Sequence, residues 1–253
     1  MIYTRNCKIP FRNQSGIDQV ANIELITLNN FNFLESYIDK YMSEIVRGPI
    51  YPNELDIAKK EIVNLMSNKT SKQQLGLVGE FFTHVVLRNL DFKQESVFNN
   101  LEESSLKKGF DGLYSKGKSY WIAESKSGDT IGLVHKNKIN EALNDLKDKL
   151  EGKTNNNPFK NATYHMVAAR KKPNKKLQRI IIELSELFTK GEYPVLDAYN
   201  VIPISTLFVG HKQTDNDIFN DISPIVSKLK YNNIIMICID NSLYADFLTY
   251  LGN

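Results

Sequence analysis

The segment 109–128, GFDGLYSKGKSYWIAESKSG, constrains the fold of this chain more than any other part of the sequence. Its apolar and aromatic residues fall into two runs, 110–114 and 119–126, and runs of this composition are typical of β-strands. The four residues between them, Ser-Lys-Gly-Lys, predict a tight turn. The segment is therefore expected to form a β-hairpin.

Three charged side chains of this hairpin are expected to converge. Asp111 lies thirteen positions before Glu124, and Lys126 follows two positions later. Positions two apart on a strand share a face, so Glu124 and Lys126 project to the same side, while Asp111 comes from the neighbouring strand. Carboxylates bind hard divalent cations, and an ammonium group orients water or stabilises charge on a phosphate. The three residues predict metal-assisted cleavage of a phosphodiester.

The elements around the hairpin follow a defined order. The segment 71–90 predicts a helix capped by Ser71, because apolar residues recur along one side of it. Strands are predicted at 92–98, 110–114 and 119–126, a helix at 139–150, a polar loop at 151–161 and a strand at 163–169. The order is helix, three strands, helix, strand, and such a crossover usually places its two strands parallel in one sheet.

The flanking regions have weaker signals. The first 70 residues predict a short strand at 22–28 and two helices on either side of the Gly- and Pro-containing segment 47–53. After the core come a helix at 176–190, an extended segment at 201–209, a helix at 217–229 that contains Pro224, a strand at 234–239 and a helix from Ser242. We expect an accessory region (1–70), a core (71–210) and a strand–helix addition packed on it (211–253).

Composition narrows the possible functions. The 253 residues have a formal net charge of +3 and two distant cysteines, Cys7 and Cys238, without the spacing of a zinc or redox motif. The longest apolar run, 234–239, is far shorter than the ~20 residues of a membrane span. We expect a cytoplasmic protein with no membrane partner. The sequence also lacks a P-loop, so a step driven by ATP would need a partner.

A basic cluster follows the last predicted core strand. Six cations lie within the ten positions 170–179, five of which are candidate DNA contacts: Arg170, Lys171, Lys172, Lys175 and Lys176. Contact with phosphates is one interpretation, and it predicts binding that depends strongly on salt. A solvated loop and helix start is an equally good interpretation of the local sequence.

The segment 71–170 resembles the PD-(D/E)xK nuclease superfamily, which implies a restriction-endonuclease-like α/β core with helical additions at both ends. The resemblance implies that Asp111 and Glu124 hold Mg²⁺ (or Mn²⁺) and that Lys126 assists the attacking water. Phe110 stands where the family has proline. Many members carry an auxiliary acid on the first helix, and Glu80 matches that position. His84, one turn later, is expected to be a core or surface residue rather than a ligand.

Three segments, GEFFTHVVL, KGFDGLY and WIAESKSG, also resemble the HamA nuclease subunit of Hachiman anti-phage defence. This resemblance implies a DNA nuclease held by a superfamily-two helicase partner (HamB-like) and activated when phage DNA is sensed. Two alternatives stay open. The chain could be a catalytically inactive subunit that keeps the nuclease fold for DNA binding or regulation, or a nuclease directed at RNA.

Overall fold

The computed structural model describes residues 3–98, 109–168, 174–209 and 213–252. These ranges contain seven strands and eight α-helices. The strands are β1 (Tyr3–Arg12), β2 (Asp18–Leu28), β3 (Lys93–Gln94), β4 (Gly112–Lys116), β5 (Ser119–Gly128), β6 (Asn200–Leu207) and β7 (Asn233–Asn241). The helices are α1 (Phe31–Arg47), α2 (Leu55–Ser67), α3 (Ser71–Asn89), α4 (His135–Leu150), α5 (Pro158–Ala168), α6 (Lys175–Thr189), α7 (Asp215–Val226) and α8 (Tyr244–Leu251). The predicted α/β class is confirmed.

All seven strands belong to one mixed sheet in the order β1-β2-β7-β6-β5-β4-β3. The four central strands β2, β7, β6 and β5 are parallel to one another. The outer pairs β1–β2, β4–β5 and β3–β4 are antiparallel. Strands from the 1–70 region and from the 211–253 region therefore lie in the same sheet as the predicted hairpin.

The two faces of the sheet have separate hydrophobic cores. Side chains of α4, α5, α6 and α7 pack on one face together with Ile122 of β5. Side chains of α1, α2, α3 and α8 pack on the other face together with Ala123. Neighbouring strand residues point to opposite faces, so β5 contributes to both cores. Within the part of the chain described, no helix combines the length and apolarity needed to cross a membrane.

The hairpin is confirmed, because β4 and β5 pair in antiparallel register from Gly112–Ala123 to Lys116–Ser119. Gly117 in the turn has a φ of 61°, a left-handed conformation that glycine adopts without steric cost. The predicted helices at 71–90, 139–150 and 176–190 correspond to α3, α4 and α6. The cap of α3 is Thr70 rather than Ser71, and it forms a capping box with Gln73.

The predicted strand at 163–169 is wrong, because residues 163–168 belong to helix α5 and residue 169 lies outside the described ranges. The β-branched and aromatic residues there favoured a strand locally. The buried residues Phe159, Ala162 and Met166, however, recur at helical spacing. Asn157 starts the helix, since its side chain accepts hydrogen bonds from two backbone amides of the first turn.

The strand that follows β5 in the sheet is β6, which pairs with β5 in parallel. It coincides with the predicted extended segment 201–209, so α4, α5 and α6 all lie between the two strands in sequence. The predicted strand at 92–98 shrinks to the two residues of β3. The edge strand β1 was not predicted at all, although it pairs with β2 over ten residues.

A pair of glycines on α3 gives a test of how closely this helix packs on the sheet. A Cβ at Gly79 would lie 2.9 Å from the Cβ of Ser127 on β5, whereas a Cβ at Gly76 would meet nothing within 4 Å. Gly79→Ala is expected to lower the free energy of unfolding by about 1–3 kcal/mol. Gly76→Ala should raise it by about 0.5–1 kcal/mol, since alanine favours a helix. Denaturant unfolding of both variants measures the difference, and equal effects would contradict the packing described.

Candidate active site

The structure places Asp111, Glu124 and Lys126 in one cleft of about 570 Å³, within the size range of ligand-binding sites. Strand β5 supplies Glu124 and Lys126 on the face covered by α4, and Asp111 directly precedes β4. The lining residues are Asp111, Glu124, Lys126, Asp145, Asp148, Lys149, Lys153, Thr154 and Asn155. The predicted convergence of the three hairpin residues is therefore observed.

Asp111 is fixed by the hairpin itself. Gly112 pairs with Ala123, so the residue before Gly112 lies beside Glu124 in the antiparallel register. The backbone amide of Ser125 donates a hydrogen bond of 2.8 Å to Oδ2 of Asp111. The peptide backbone of β5 thus holds the Asp111 carboxylate next to that of Glu124, although like charges repel.

Glu124 is the most deeply buried group of the cleft, with 2% of its side chain exposed. Its Oε1 accepts a hydrogen bond from Nζ of Lys126 at 3.1 Å, and its Oε2 accepts one from Nζ of Lys149 at 2.5 Å. Burial raises the pKa of Glu124 to about 7 and the Asp111 charge adds to this, whereas the two lysines oppose it. Glu124 is thus a carboxylate whose negative charge requires a nearby cation.

Lys126 lies between two carboxylates, those of Glu124 and Asp145. Burial by itself lowers the pKa of this ammonium, but Glu124, Asp145 and Asp111 outweigh the effect and raise the pKa above the ordinary lysine value. The side chain is 25% exposed, so it reaches the open part of the cleft. Lys126 therefore acts as a permanent cation and hydrogen-bond donor at neutral pH, and not as a general base.

Two residues of α4 complete the charge network and were missed by the sequence prediction. Asp145 binds Lys126, and Lys149, one helical turn further, binds Glu124. Both positions flank the apolar stripe of α4, which includes Ala142, Leu146 and Leu150. This stripe was recognised in the sequence. Packing it against β5 would have placed the flanking polar residues beside Glu124 and Lys126.

The structure does not place Glu80 among the residues that line the cleft. Glu80 lies on α3, which packs on the opposite face of β5, where Thr83 contacts Ser125 through their hydroxyls at 3.2 Å. Burial raises the pKa of the Tyr114 hydroxyl, the charge of Arg88 opposes this effect, and the charges of Glu80 and Asp111 add to it. The role of Glu80 as a metal ligand stays a prediction.

His84 lies in the core, one of the two positions expected for it. Its ring is fully buried, and its Nδ1 lies 2.5 Å from the Tyr114 hydroxyl. It also packs edge-on against Phe98. These contacts give His84 a structural role between α3 and β4.

The basic cluster does not follow a strand, because the element before it is helix α5. Arg170, Lys171 and Lys172 lie outside the described residues. Lys175 and Lys176 are exposed and form the first two residues of α6. Lys176 lines a groove with Lys118 at the β4–β5 turn, and neither residue lines the cleft of Asp111. DNA contact by these residues stays a prediction.

A divalent cation fits the residues of the cleft. No group of three or more His, Cys, Asp or Glu side chains is placed to hold a metal within the described ranges. Mg²⁺, however, is usually bound through one or two carboxylates, with water and substrate phosphate completing its coordination. Asp111 and Glu124 carry carboxylate oxygens of the kind that bind Mg²⁺, and the buried charge of Glu124 needs positive charge beside it.

The fold and this cleft define a mixed α/β protein with a candidate hydrolytic site of two acids and a lysine. The family model of HamA matches residues 6–249, nearly the whole chain, and the chain belongs to the HamA family. This membership confirms the resemblance seen in the sequence and suggests a role in Hachiman anti-phage defence. Comparison with curated proteins finds no match.

Proposed function

We propose that this chain is a divalent-metal-dependent DNA nuclease, the effector of a Hachiman anti-phage system controlled by a superfamily-two helicase partner. The observation that carries the proposal is the convergence of Asp111, Glu124 and Lys126 in one cleft. Membership of the HamA family supports the biological setting. The elements α3, β3, β4, β5, α4 and β6 would form the restriction-endonuclease-like core, with α5 and α6 inserted before its last strand.

In the proposed mechanism, Asp111 and Glu124 hold Mg²⁺ (or Mn²⁺). When bound, the cation supplies a Lewis acid that neutralises charge on the scissile phosphate. Lys126 keeps its proton on Nζ and donates hydrogen bonds to the attacking water or to a phosphate oxygen. Asp145 orients Lys126 from the outer side, since its carboxylate contacts the same ammonium group as Glu124. Glu80 is proposed as an auxiliary acid.

Contact with the DNA backbone is proposed for the basic cluster. The described members, Lys175 and Lys176, are exposed at the amino terminus of α6, where the helix dipole adds to their positive charge. Lys118 lies on the same groove as Lys176. A phosphate at this groove would lie on the side of the hairpin turn, away from the end of β5 that carries Lys126.

The rival proposal is a catalytically inactive nuclease-fold subunit that binds DNA or regulates a partner. The complete set of Asp111, Glu124 and Lys126, assembled in one cleft, favours catalysis. Digestion of plasmid DNA and of RNA side by side, in Mg²⁺ and in EDTA, tests the proposal. DNA cleavage only in Mg²⁺ is expected. Cleavage of RNA alone would support an RNA-directed nuclease, and no cleavage with or without the helicase partner would support the inactive subunit.

Cleavage is expected to rise with pH through the neutral range. The pKa of Glu124 is raised to about 7, so at lower pH a proton occupies the carboxylate that would hold the cation. Protons and metal compete, and a tenfold increase in Mg²⁺ should move the midpoint to lower pH by up to about one unit. Lys126 should not limit the rate at mildly alkaline pH, because its pKa is raised. Initial rates at two Mg²⁺ concentrations test this, and a midpoint independent of Mg²⁺ would contradict it.

A further inference from the structure

Lys149 occupies a position in the cleft that the proposed reaction does not use. Its Nζ lies 2.5 Å from Oε2 of Glu124, the oxygen that Lys126 does not contact. The Lys149 side chain is 16% exposed and that of Glu124 is 2% exposed, so the contact is largely shielded from water. Between them, the two lysines contact both carboxylate oxygens of Glu124.

The two lysines differ in their other partners. Lys126 also contacts Asp145, so it stays in the cleft when Glu124 binds something else. Within the described ranges, Glu124 is the one acid at ion-pair distance from Lys149. A cation shared by Asp111 and Glu124 needs an oxygen of Glu124, and repulsion between that cation and an ammonium 2.5 Å from the same carboxylate is strong in a shielded site. Lys149 has fewer acidic partners than Lys126, so a cation at Glu124 would displace Lys149 more readily.

A displaced Lys149 keeps a favourable position. It lies in the last turn of α4, where the helix dipole stabilises a positive charge. Its flexible four-carbon stem lets the ammonium group move without moving the helix. The cleft contains four acids and three lysines, a formal charge of −1, so a bound dication leaves one positive charge for a phosphodiester. A displaced Lys149, which lines the same cleft, would be available to such a phosphate.

We propose that Lys149 is a further active-site residue, which holds Glu124 while the cation is absent and moves to the scissile phosphate once the cation is bound. The inference rests on the proposed function of the same cleft. Helix α4 would then have two roles. Before the metal binds, its Lys149 offsets the repulsion between the carboxylates of Asp111 and Glu124, and afterwards it supplies a second cation to the substrate. The carboxylate of Glu124 is thus neutralised in both states.

Calorimetric titration with Mn²⁺, in the absence of DNA and at mildly alkaline pH, tests the first role without measuring activity. Lys149→Met removes the competing charge and keeps the aliphatic stem, so the Kd for Mn²⁺ should fall about tenfold. Lys149→Arg keeps the charge and should bind Mn²⁺ like the wild type. Lys147→Met, an exposed lysine on the same helix, is the matched control and should leave the Kd unchanged.

Plasmid cleavage tests the second role. Lys149→Met should cleave about tenfold or more slowly at saturating Mg²⁺ although it binds metal more tightly, because a phosphate contact is lost. Thermal unfolding shows whether each variant is folded, and Lys149→Gln, which also removes the charge, replaces Lys149→Met in both tests if Lys149→Met is not. Weaker or unchanged Mn²⁺ binding in folded Lys149→Met would overturn the inference while leaving the proposed nuclease intact. If neither the wild type nor Lys149→Met binds Mn²⁺, both proposals fail.

Discussion

Lys126→Met is expected to lower Mg²⁺-dependent cleavage of DNA by at least about a hundredfold, the usual effect of removing one preorganised donor from a charged transition state. Lys126 is held between Glu124 and Asp145 and keeps its proton, so no other group of the cleft reproduces its position. The variant should bind Mn²⁺ at least as tightly as the wild type, because Asp111 and Glu124 remain and a positive charge beside Glu124 is removed. Initial rates of plasmid cleavage measure the loss.

Lys147→Met is the control for this change, since it removes an exposed lysine of α4 that contacts neither acid of the site. It should cleave at the wild-type rate. Full activity of Lys126→Met would show that the cleft has been assigned the wrong chemistry. If Lys126→Met loses activity because it unfolds, Lys126→Arg tests the role of Lys126 instead. This variant keeps the charge and should recover part of the rate.

Glu124→Gln is expected to abolish cation binding and to reduce cleavage by roughly a thousandfold or more, because the contribution of a bound metal is several kcal/mol. Glutamine has the shape of glutamate but supplies no negative charge. Burial opposes the negative charge of Glu124 and raises its pKa to about 7, so a neutral side chain costs less at this position than at an exposed glutamate. The neutral carboxamide should therefore leave the fold intact. Calorimetric titration with Mn²⁺ and plasmid cleavage measure the two effects.

Glu141→Gln provides the matched control, because Glu141 pairs with Lys138 on the exposed side of α4. It should bind Mn²⁺ and cleave DNA like the wild type. Wild-type metal binding in Glu124→Gln would instead mean that the cation binds elsewhere. The nuclease would then use a different site from the cleft between β4, β5 and α4.

The hairpin and its charged residues could be predicted from the sequence because the relevant interactions are local. The turn at Gly117 and the alternation along β5 are set by neighbouring residues, and they suffice to bring Asp111, Glu124 and Lys126 together. Helix α5 shows the limit of this reasoning. Its β-branched and aromatic residues favour a strand locally, but burial of Phe159 and Met166 against the rest of the core stabilises a helix instead.

The part of the site supplied by α4 depends on contacts between distant residues. Lys149 meets Glu124 across 25 positions of sequence, and Asp145 meets Lys126 only because α4 packs over β5. The same holds for β6, which pairs with β5 after three intervening helices. Periodicity along each element does not specify these pairings. The sequence therefore predicted which residues of the hairpin line the cleft, but not the lysine that pairs with its buried acid.

The purified chain, alone and with the proposed helicase partner, is incubated with supercoiled plasmid in Mg²⁺ or EDTA, and the loss of supercoiled DNA is followed for the wild type and for Glu124→Gln. We predict cleavage by the wild type in Mg²⁺, none in EDTA, and none by Glu124→Gln under any condition. Equal cleavage by the wild type and Glu124→Gln, or cleavage that persists in EDTA, would contradict a metal-dependent nuclease centred on this cleft.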